Sequence, residues 1–89
     1  RLVDGDLRGT NLRDAKLNNA DLSRVRLQPL VIDAQRSIHS SLDGARLRYT
    51  NLSNAILRGV SLRGADLSYA NLTDADLRGA DLSGARLYS

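Results

Sequence analysis

Leucine recurs along this chain with a spacing of five residues. Between Leu2 and Leu87 this spacing defines eighteen positions, and sixteen of them are leucine; the exceptions are Ile32 and Ser37. The position two residues before each leucine carries a small side chain in most units, whereas the other three positions are mostly polar or glycine. Each unit therefore has two positions suited to a core and three suited to solvent.

A period of five excludes a single α-helix or a straight strand. In a helix, residues five apart are rotated by about 140°, so the leucines would be spread around the whole circumference. In a strand, an odd period would send successive leucines to opposite faces. All of the leucines reach one core only if the backbone turns a corner in every unit. Six of the seven glycines lie two residues after a leucine, where a type II turn requires a positive φ, so the pattern predicts a solenoid.

Several units share one five-residue pattern, and 65–69, 75–79 and 80–84 read ADLSY, ADLRG and ADLSG. The sequence resembles the pentapeptide repeat family, whose pattern is A(D/N)LXX, over nearly its whole length. The resemblance implies an all-β fold, a right-handed quadrilateral β-helix (β-solenoid) with four units in each coil. Residues 20 apart would then stack directly, and 89 residues would make about four and a half coils. We expect residues 1–89 to form a single solenoid domain.

The passage at about 28–40 departs from the pattern and contains the only proline and the only histidine of the chain. Leu27 and Leu42 are fifteen residues apart, which equals three whole units. We expect a distorted passage that stays in phase, with a bulge that turns Ile38 inward in place of Ser37. The alternative is a looped-out excursion whose length keeps the phase by chance. Columns of residues that lie wholly before or after the passage are the same in both interpretations.

Composition limits the classes of protein that the chain can represent. With 89 residues, 42% of them apolar, and a net charge of +3, it has room for one small domain and not for a large catalytic one. No stretch approaches the roughly 18 consecutive apolar residues of a membrane-spanning helix, and no signal-peptide pattern is visible. We therefore take the cytoplasm as the default location. Because the chain starts at Arg1 without a methionine, we expect a fragment of a longer protein or a processed form.

Stacking at a spacing of 20 residues would place charged side chains above one another on the outer walls. Opposite charges on neighbouring strands contribute about 0.2–1 kcal/mol per pair. The columns expected on this basis are Asp6 beneath Arg26, Asp43 facing Arg63, and the alternating series Arg46, Asp66 and Arg86.

Two other columns carry no such alternation of charge. Asn51 and Asn71 are expected to form a ladder of side-chain amides, which is typical of stacked coils. Arg58 and Arg78 are expected to stack on each other without an acidic neighbour.

Tyr49 and Tyr69 occupy the same position in units 20 residues apart and are predicted to stack. The structural interpretation is an aromatic ladder worth about 0.5–1.5 kcal/mol beyond burial. The functional one is an interaction hot spot, because tyrosine and arginine are enriched in interfaces. Several arginines would make the same side of the rod positive. The candidate interaction surface is therefore Arg26, Arg46, Arg48, Tyr49, Tyr69 and Arg86.

The chain has few residues that could serve in catalysis or metal binding. His39 is the single histidine, with serines and Asp43 nearby in sequence. A Ser-His-Asp triad is defined by geometry, however, and a flat solenoid wall offers no evident oxyanion hole. One histidine without cysteine or glutamate cannot supply a His/Cys metal cluster. We expect no catalytic residue, no metal site and no cofactor, and interpret the chain as non-enzymatic.

The leading functional hypothesis is a structural scaffold or a protein–protein interaction module with an unknown protein partner. The resemblance implies an alternative, since some members of the family are duplex-DNA mimics that bind type II topoisomerases and give quinolone resistance. Mimicry needs a negatively charged rod, and this chain is basic. A third hypothesis is nucleic-acid binding by the arginine-rich side, which the small net charge and the lack of an aromatic platform disfavour.

The C-terminal coil, with Leu82 and Leu87, would allow two copies to associate end to end.

Overall fold

The backbone of the chain is a parallel ladder that climbs in coils of four units. The computed structural model describes residues 2–88, and Arg1 and Ser89, where the predicted domain begins and ends, lie outside the described part. Arg46 pairs with Asp66, and Asp66 with Arg86, in steps of 20 residues. Hydrogen bonds such as that from the Leu47 N–H to the Asp66 carbonyl (2.7 Å) connect successive coils. The repeat therefore forms a β-helix.

Each corner of the coil is a four-residue turn that begins at a leucine. In the turn at Leu62, the Ala65 N–H donates to the Leu62 carbonyl (3.1 Å). Gly64, two residues after that leucine, has a φ of +68°, in the region that a type II turn requires at this position. Tyr49 and Tyr69 occupy the same position with φ of 59° and 63°, although an L residue is strained there. The predicted corner is thus present with and without glycine.

The interior is filled by the leucines and by the small residues two positions before them. Burying one leucine side chain contributes about 1.5–3 kcal/mol, so the repeated leucine is the main source of stability. Leu7 and Leu72, in the first and last coils, are only partly buried because a neighbouring coil covers them on one side. The leucines that expose 2% or less of their surface are Leu22, Leu27, Leu42, Leu47, Leu52, Leu57, Leu62 and Leu67.

The irregular passage leaves the coil as a β-hairpin. Its strands are β1, Leu30–Val31, and β2, Ser37–Ile38, which pair antiparallel. Ile32 and Ile38 are 48% and 47% exposed, so neither fills the core. The prediction of a distorted passage that remains in the coil, with Ile38 turned inward in place of Ser37, is therefore wrong. The looped-out alternative, which also keeps the five-residue phase, is correct.

The hairpin inserts ten residues between two corners of the coil. Bridges that cross it join residues 30 apart instead of 20, as in the pair Lys16 and Arg46. Pro29 stands at a corner position where neighbouring units have a positive φ, and its ring fixes φ near about −65°. The chain cannot turn the ordinary corner there. Ser40 resumes the coil, since it is 1% exposed and its hydroxyl accepts a hydrogen bond from the Gly9 N–H (2.8 Å).

The aspartate or asparagine before a leucine closes a local turn. Asp66 Oδ1 accepts hydrogen bonds from the N–H and the hydroxyl of Ser68 (3.1 and 2.6 Å). Asn51 and Asn71 accept equivalent bonds from the residue two positions on. Their backbones form a bridge, but the side-chain oxygen of each accepts hydrogen bonds from its own unit. Within the described residues, the side-chain hydrogen bonds of these two residues are therefore local and do not form the expected amide ladder. This local bond explains why Asp and Asn suit the position.

Arginine side chains hold two of these aspartates firmly in the ionised form. The Asp76 carboxylate accepts two bonds from Arg78 (2.9 and 2.8 Å) and lies 3.2 Å from Arg58 Nε. Chiefly because of the Arg78 side-chain bonds, the pKa of Asp76 is lowered from 3.8 to about 2. Arg8 likewise lowers the pKa of Asp6 to about 2. The expectation that Arg58 and Arg78 lack an acidic neighbour is wrong, because both contact Asp76.

We predict that the solenoid loses stability as the pH falls from about 4 to about 2. A carboxylate with a lowered folded-state pKa favours the folded state above its unfolded pKa, and this contribution disappears as the pH falls through the folded pKa. Urea unfolding, followed by circular dichroism at a series of pH values in this range, measures the free energy of unfolding. D76N should lose less stability over the range than the unchanged chain. A free energy that does not depend on pH below about 4 would contradict the prediction.

Candidate functional site

One wall of the solenoid is strongly basic. It is formed by four units that lie one above another, and it carries four cations and one carboxylate. Its net charge of +3 equals that of the whole chain, so the remaining residues are neutral in sum. We call this surface the basic wall and define it by the column Lys16, Arg46, Asp66 and Arg86 together with Arg48, Tyr49 and Tyr69.

A shallow groove of about 430 Å³ runs beside the charged column. Its floor is a column of glycines, Gly44, Gly64 and Gly84, one from each of three successive coils. A Cβ atom added at Gly64 would meet nothing within 4 Å, whereas one added at Gly44 would meet the Asp14 carboxylate, so the floor is open at Gly64. The charged residues that line the groove are Arg46, Arg48, Asp66 and Arg86.

The two tyrosines form a stacked pair next to these arginines. The ring centroids of Tyr49 and Tyr69 are 5.1 Å apart with an interplanar angle of 12°, which confirms the predicted stack. The Arg48 guanidinium lies 5.9 Å from the Tyr69 ring centroid, within the range of a cation–π contact. The side chains are not hidden by this stacking, since Tyr49 is 57% and Tyr69 47% exposed.

The single carboxylate of the basic wall, Asp66, offsets one of its four positive charges. Hydrogen bonds from Ser68 are the largest cause that lowers the pKa of Asp66, and the nearby charges of Arg48 and Arg86 lower it further. Asp66 Oδ2 is 3.9 Å from Arg48 Nη1, a distance at which an exposed pair contributes little. Within residues 2–88, the other three cations have no carboxylate within 4 Å: Lys16, Arg46 and Arg86.

Arg26 is the one candidate residue that the structure separates from the others. Its backbone bridges Asp6 and Ile56, and its Nη2 lies 3.6 Å from Asp6 Oδ2, so the predicted pair with Asp6 is confirmed. With the hairpin outside the coil, the unit of Arg26 precedes that of Arg46 by two corners, or half a coil. Arg26 therefore lies on the opposite wall of the solenoid, and Lys16 occupies the place below Arg46.

Sequence reasoning missed Lys16 and the glycine floor for one reason. A spacing of 20 counted through the hairpin puts Arg26 under Arg46, whereas the observed step there is 30 residues. The signals that point to the correct register are Pro29 at a corner position and the absence of leucine at positions 32 and 37. They show that two units are missing from the coil. Columns that do not cross the hairpin, such as Arg46, Asp66 and Arg86, are as predicted.

The described residues offer no arrangement for a metal ion. His39 is exposed, and its Nδ1 lies 3.4 Å from the Gly59 carbonyl at the base of the hairpin. No group of three or more histidine, cysteine, aspartate or glutamate residues in 2–88 is placed to hold a metal. The same part of the chain has no helix with the length and apolar character needed to cross a bilayer.

The family profile described as Pentapeptide repeats matches the chain in eight copies, over residues 1–28, 40–79 and 55–89. The interval that it leaves out coincides with the hairpin. No curated protein sequence matches the chain.

Three solved structures show the same kind of fold. HetL, a pentapeptide repeat protein involved in heterocyst differentiation regulation in the cyanobacterium Nostoc sp. strain PCC 7120, is 34% identical with a TM-score of 0.64, over 93% of this chain and 36% of HetL. Rfr23 from the cyanobacterium Cyanothece 51142 is 26% identical with a TM-score of 0.52, over 96% of this chain and 58% of Rfr23. Trypsin-treated QnrB1, a plasmid-mediated fluoroquinolone resistance protein, is 22% identical with a TM-score of 0.50, over 96% of this chain and 39% of QnrB1. It resembles this chain in fold alone. The chain thus spans less than two thirds of each of these proteins. The five-residue repeat, the parallel β ladder and the matching family profile show that this chain belongs to the pentapeptide repeat family.

Proposed function

We propose that this chain is a non-enzymatic interaction module that binds a protein partner through the basic wall. The observation that carries the proposal is the position of Arg46 and Arg86, which have no ion pair in the described residues and line a groove beside two exposed tyrosines. Tyrosine and arginine are among the residues most enriched in interaction hot spots. A positive surface of this kind attracts acidic partners and accelerates their association.

Backbone strain at the tyrosines supports a role beyond stability. Tyr49 and Tyr69 have positive φ at a corner position where six other units have glycine, five have aspartate or asparagine and one has Arg24. Aspartate and asparagine tolerate this conformation better than tyrosine does. That conformation costs a non-glycine residue about 1–2 kcal/mol, of which ring stacking returns about 0.5–1.5 kcal/mol. Strained residues that offer no clear gain in stability are concentrated at functional sites.

The proposal includes the finer geometry of the coil. We infer a right-handed quadrilateral β-helix with four coils in the described part. The count falls from the four and a half expected from the sequence because the hairpin takes ten residues out of the coil. Four coils make a short rod whose basic wall runs along its full length. The cytoplasm stays the default prediction for its location.

Similarity to HetL favours a regulatory binding role over catalysis. HetL is involved in heterocyst differentiation regulation, and regulation by a repeat protein is typically achieved through its extended surface. The DNA-mimic alternative is not favoured, because mimicry of duplex DNA needs a negative wall and this one carries four cations.

We predict that neutralising the basic wall abolishes capture of the partner. R46Q/R86Q removes two positive charges from the wall, and R58Q/R78Q removes the same number from a different wall as the matched control. Each variant is immobilised and exposed to lysate of the native host, and the retained proteins are identified by mass spectrometry. A protein retained by the unchanged chain should be lost with R46Q/R86Q and kept with R58Q/R78Q. Circular dichroism shows whether each variant is folded.

Three outcomes would contradict this function. Equal retention by R46Q/R86Q and the unchanged chain would show that the basic wall does not bind the partner. Inhibition of gyrase in a supercoiling assay would favour the topoisomerase-binding alternative. Retention of duplex DNA that falls steeply with salt, and is lost in R46Q/R86Q, would favour a nucleic-acid binder.

Association of two copies through the C-terminal coil is a separate prediction. Leu87 in this coil is 51% exposed, and a second coil stacked on it would bury apolar surface. Light scattering of the 89-residue chain over a series of concentrations should show a dimer that dissociates on dilution. A monomer at every concentration would contradict it.

A further inference from the structure

We propose that the groove of the basic wall binds an acidic polypeptide segment in the polyproline II conformation, with a carboxylate at every third residue. This inference rests on the proposed function and names the chemistry of the partner. It is carried by three features of the groove: the spacing of its arginines, its glycine floor, and the carboxylate between the arginines.

The spacing of the arginines selects the conformation of the ligand. Arg46 and Arg86 are separated by two coils with Asp66 between them, a distance of about 9.6 Å at the usual spacing of paired strands. A polyproline II segment advances about 9.3 Å in three residues and then presents the same side again. Its carboxylates at positions i and i+3 would therefore face one arginine each. A β-strand repeats its side after about 6.6 Å, so its second carboxylate would fall short of Arg86 and close to Asp66.

The middle of the groove floor, at Gly64, allows a backbone to approach closely. Gly44, Gly64 and Gly84 form it, and no atom lies within 4 Å of a Cβ added at Gly64. The stacked rings of Tyr49 and Tyr69 stand on the same wall and are exposed. These rings do not line the groove, but a polyproline II segment that extends past Arg48 would meet an aromatic surface of the kind that such segments commonly dock against. The preformed helix loses little conformational freedom on binding.

Asp66 gives the groove its selectivity for spaced charges. Its carboxylate lies in the column between the two arginines and would repel a carboxylate at the intermediate positions of the ligand. An acidic cluster would meet this repulsion, whereas a segment with one acid in three residues would avoid it. Asp66 is thus a specificity-determining residue that acts by exclusion.

The test compares two peptides of one composition by fluorescence anisotropy at low salt. One has an aspartate at every third position with prolines between, and the other has the same aspartates in one cluster followed by the prolines. We expect the spaced peptide to bind about fivefold more tightly, the difference that one exposed charge interaction of about 1 kcal/mol produces. R46Q/R86Q removes two such interactions and should weaken its binding about twenty-fivefold, and R58Q/R78Q should leave it unchanged.

D66N is the decisive variant, because it should remove the preference for the spaced peptide without weakening the binding of that peptide. Asn51 and Asn71 already stand before leucines with the hydrogen bonds that Asp66 makes, so the turn should stay intact. In D66N the clustered peptide should gain about fivefold and equal the spaced one. Equal binding of the two peptides to the unchanged chain, or an unchanged preference in D66N, would overturn the inference. If R46Q/R86Q still lost the captured protein, the proposed function would survive that failure.

A single-stranded oligonucleotide of matched charge is included as a competitor. Tighter binding of the oligonucleotide than of the spaced peptide, lost in R46Q/R86Q, would also overturn the inference, because it would assign the groove to nucleic acid.

Discussion

Burial of one leucine in every five residues is the constraint on which this structure depends. The leucines can share one interior only if the backbone turns at each unit, and the turns close a coil every four units. The position two residues after the leucine of each regular corner then adopts a positive φ, which explains the glycines. The coil also fixes the outer walls, because every outward side chain lies directly above its equivalent in the coil below. Core and surface are thus set by the same repeat.

The hairpin changes the surface without disturbing this core. Ten residues leave the coil and return, and the buried leucines continue from Leu27 to Leu42 as if they were adjacent units. Ten residues are two units, or half a coil, so side chains before the hairpin meet different partners from those that a uniform spacing of 20 would give them. Lys16 joins the basic wall, and Arg26 leaves it. An insertion of this length keeps leucines in the core and changes which charged side chains lie above one another on the walls.

The sequence alone was sufficient to predict the solenoid, its corners, the stacked tyrosines and the column of Arg46, Asp66 and Arg86. These features lie where the five-residue period is unbroken. There the repeat alone determines which residues of neighbouring coils lie in contact. The path of residues 28–40 did not follow from the period, because fifteen residues fit three coil units as well as one hairpin and one unit. The pairing of Asp76 with both Arg58 and Arg78 was also missed. The contact with Arg58 is diagonal between two coils, and the contact with Arg78 lies within one unit. Neither follows from counting columns, which considers only residues directly above one another.

The register across the hairpin is the claim on which both the basic wall and its proposed ligand rest, and engineered disulfides test it directly. The chain has no cysteine of its own, and residues on paired strands lie about 4.8 Å apart, within the range of about 4.4–6.8 Å that a disulfide spans. R46C/D66C should cross-link in any register and serves as the positive control. After mild oxidation, mass spectrometry should find a disulfide in K16C/R46C and free thiols in R26C/R46C. A disulfide in R26C/R46C with free thiols in K16C/R46C would contradict this register, and Lys16 would then not lie beneath Arg46 in the basic wall.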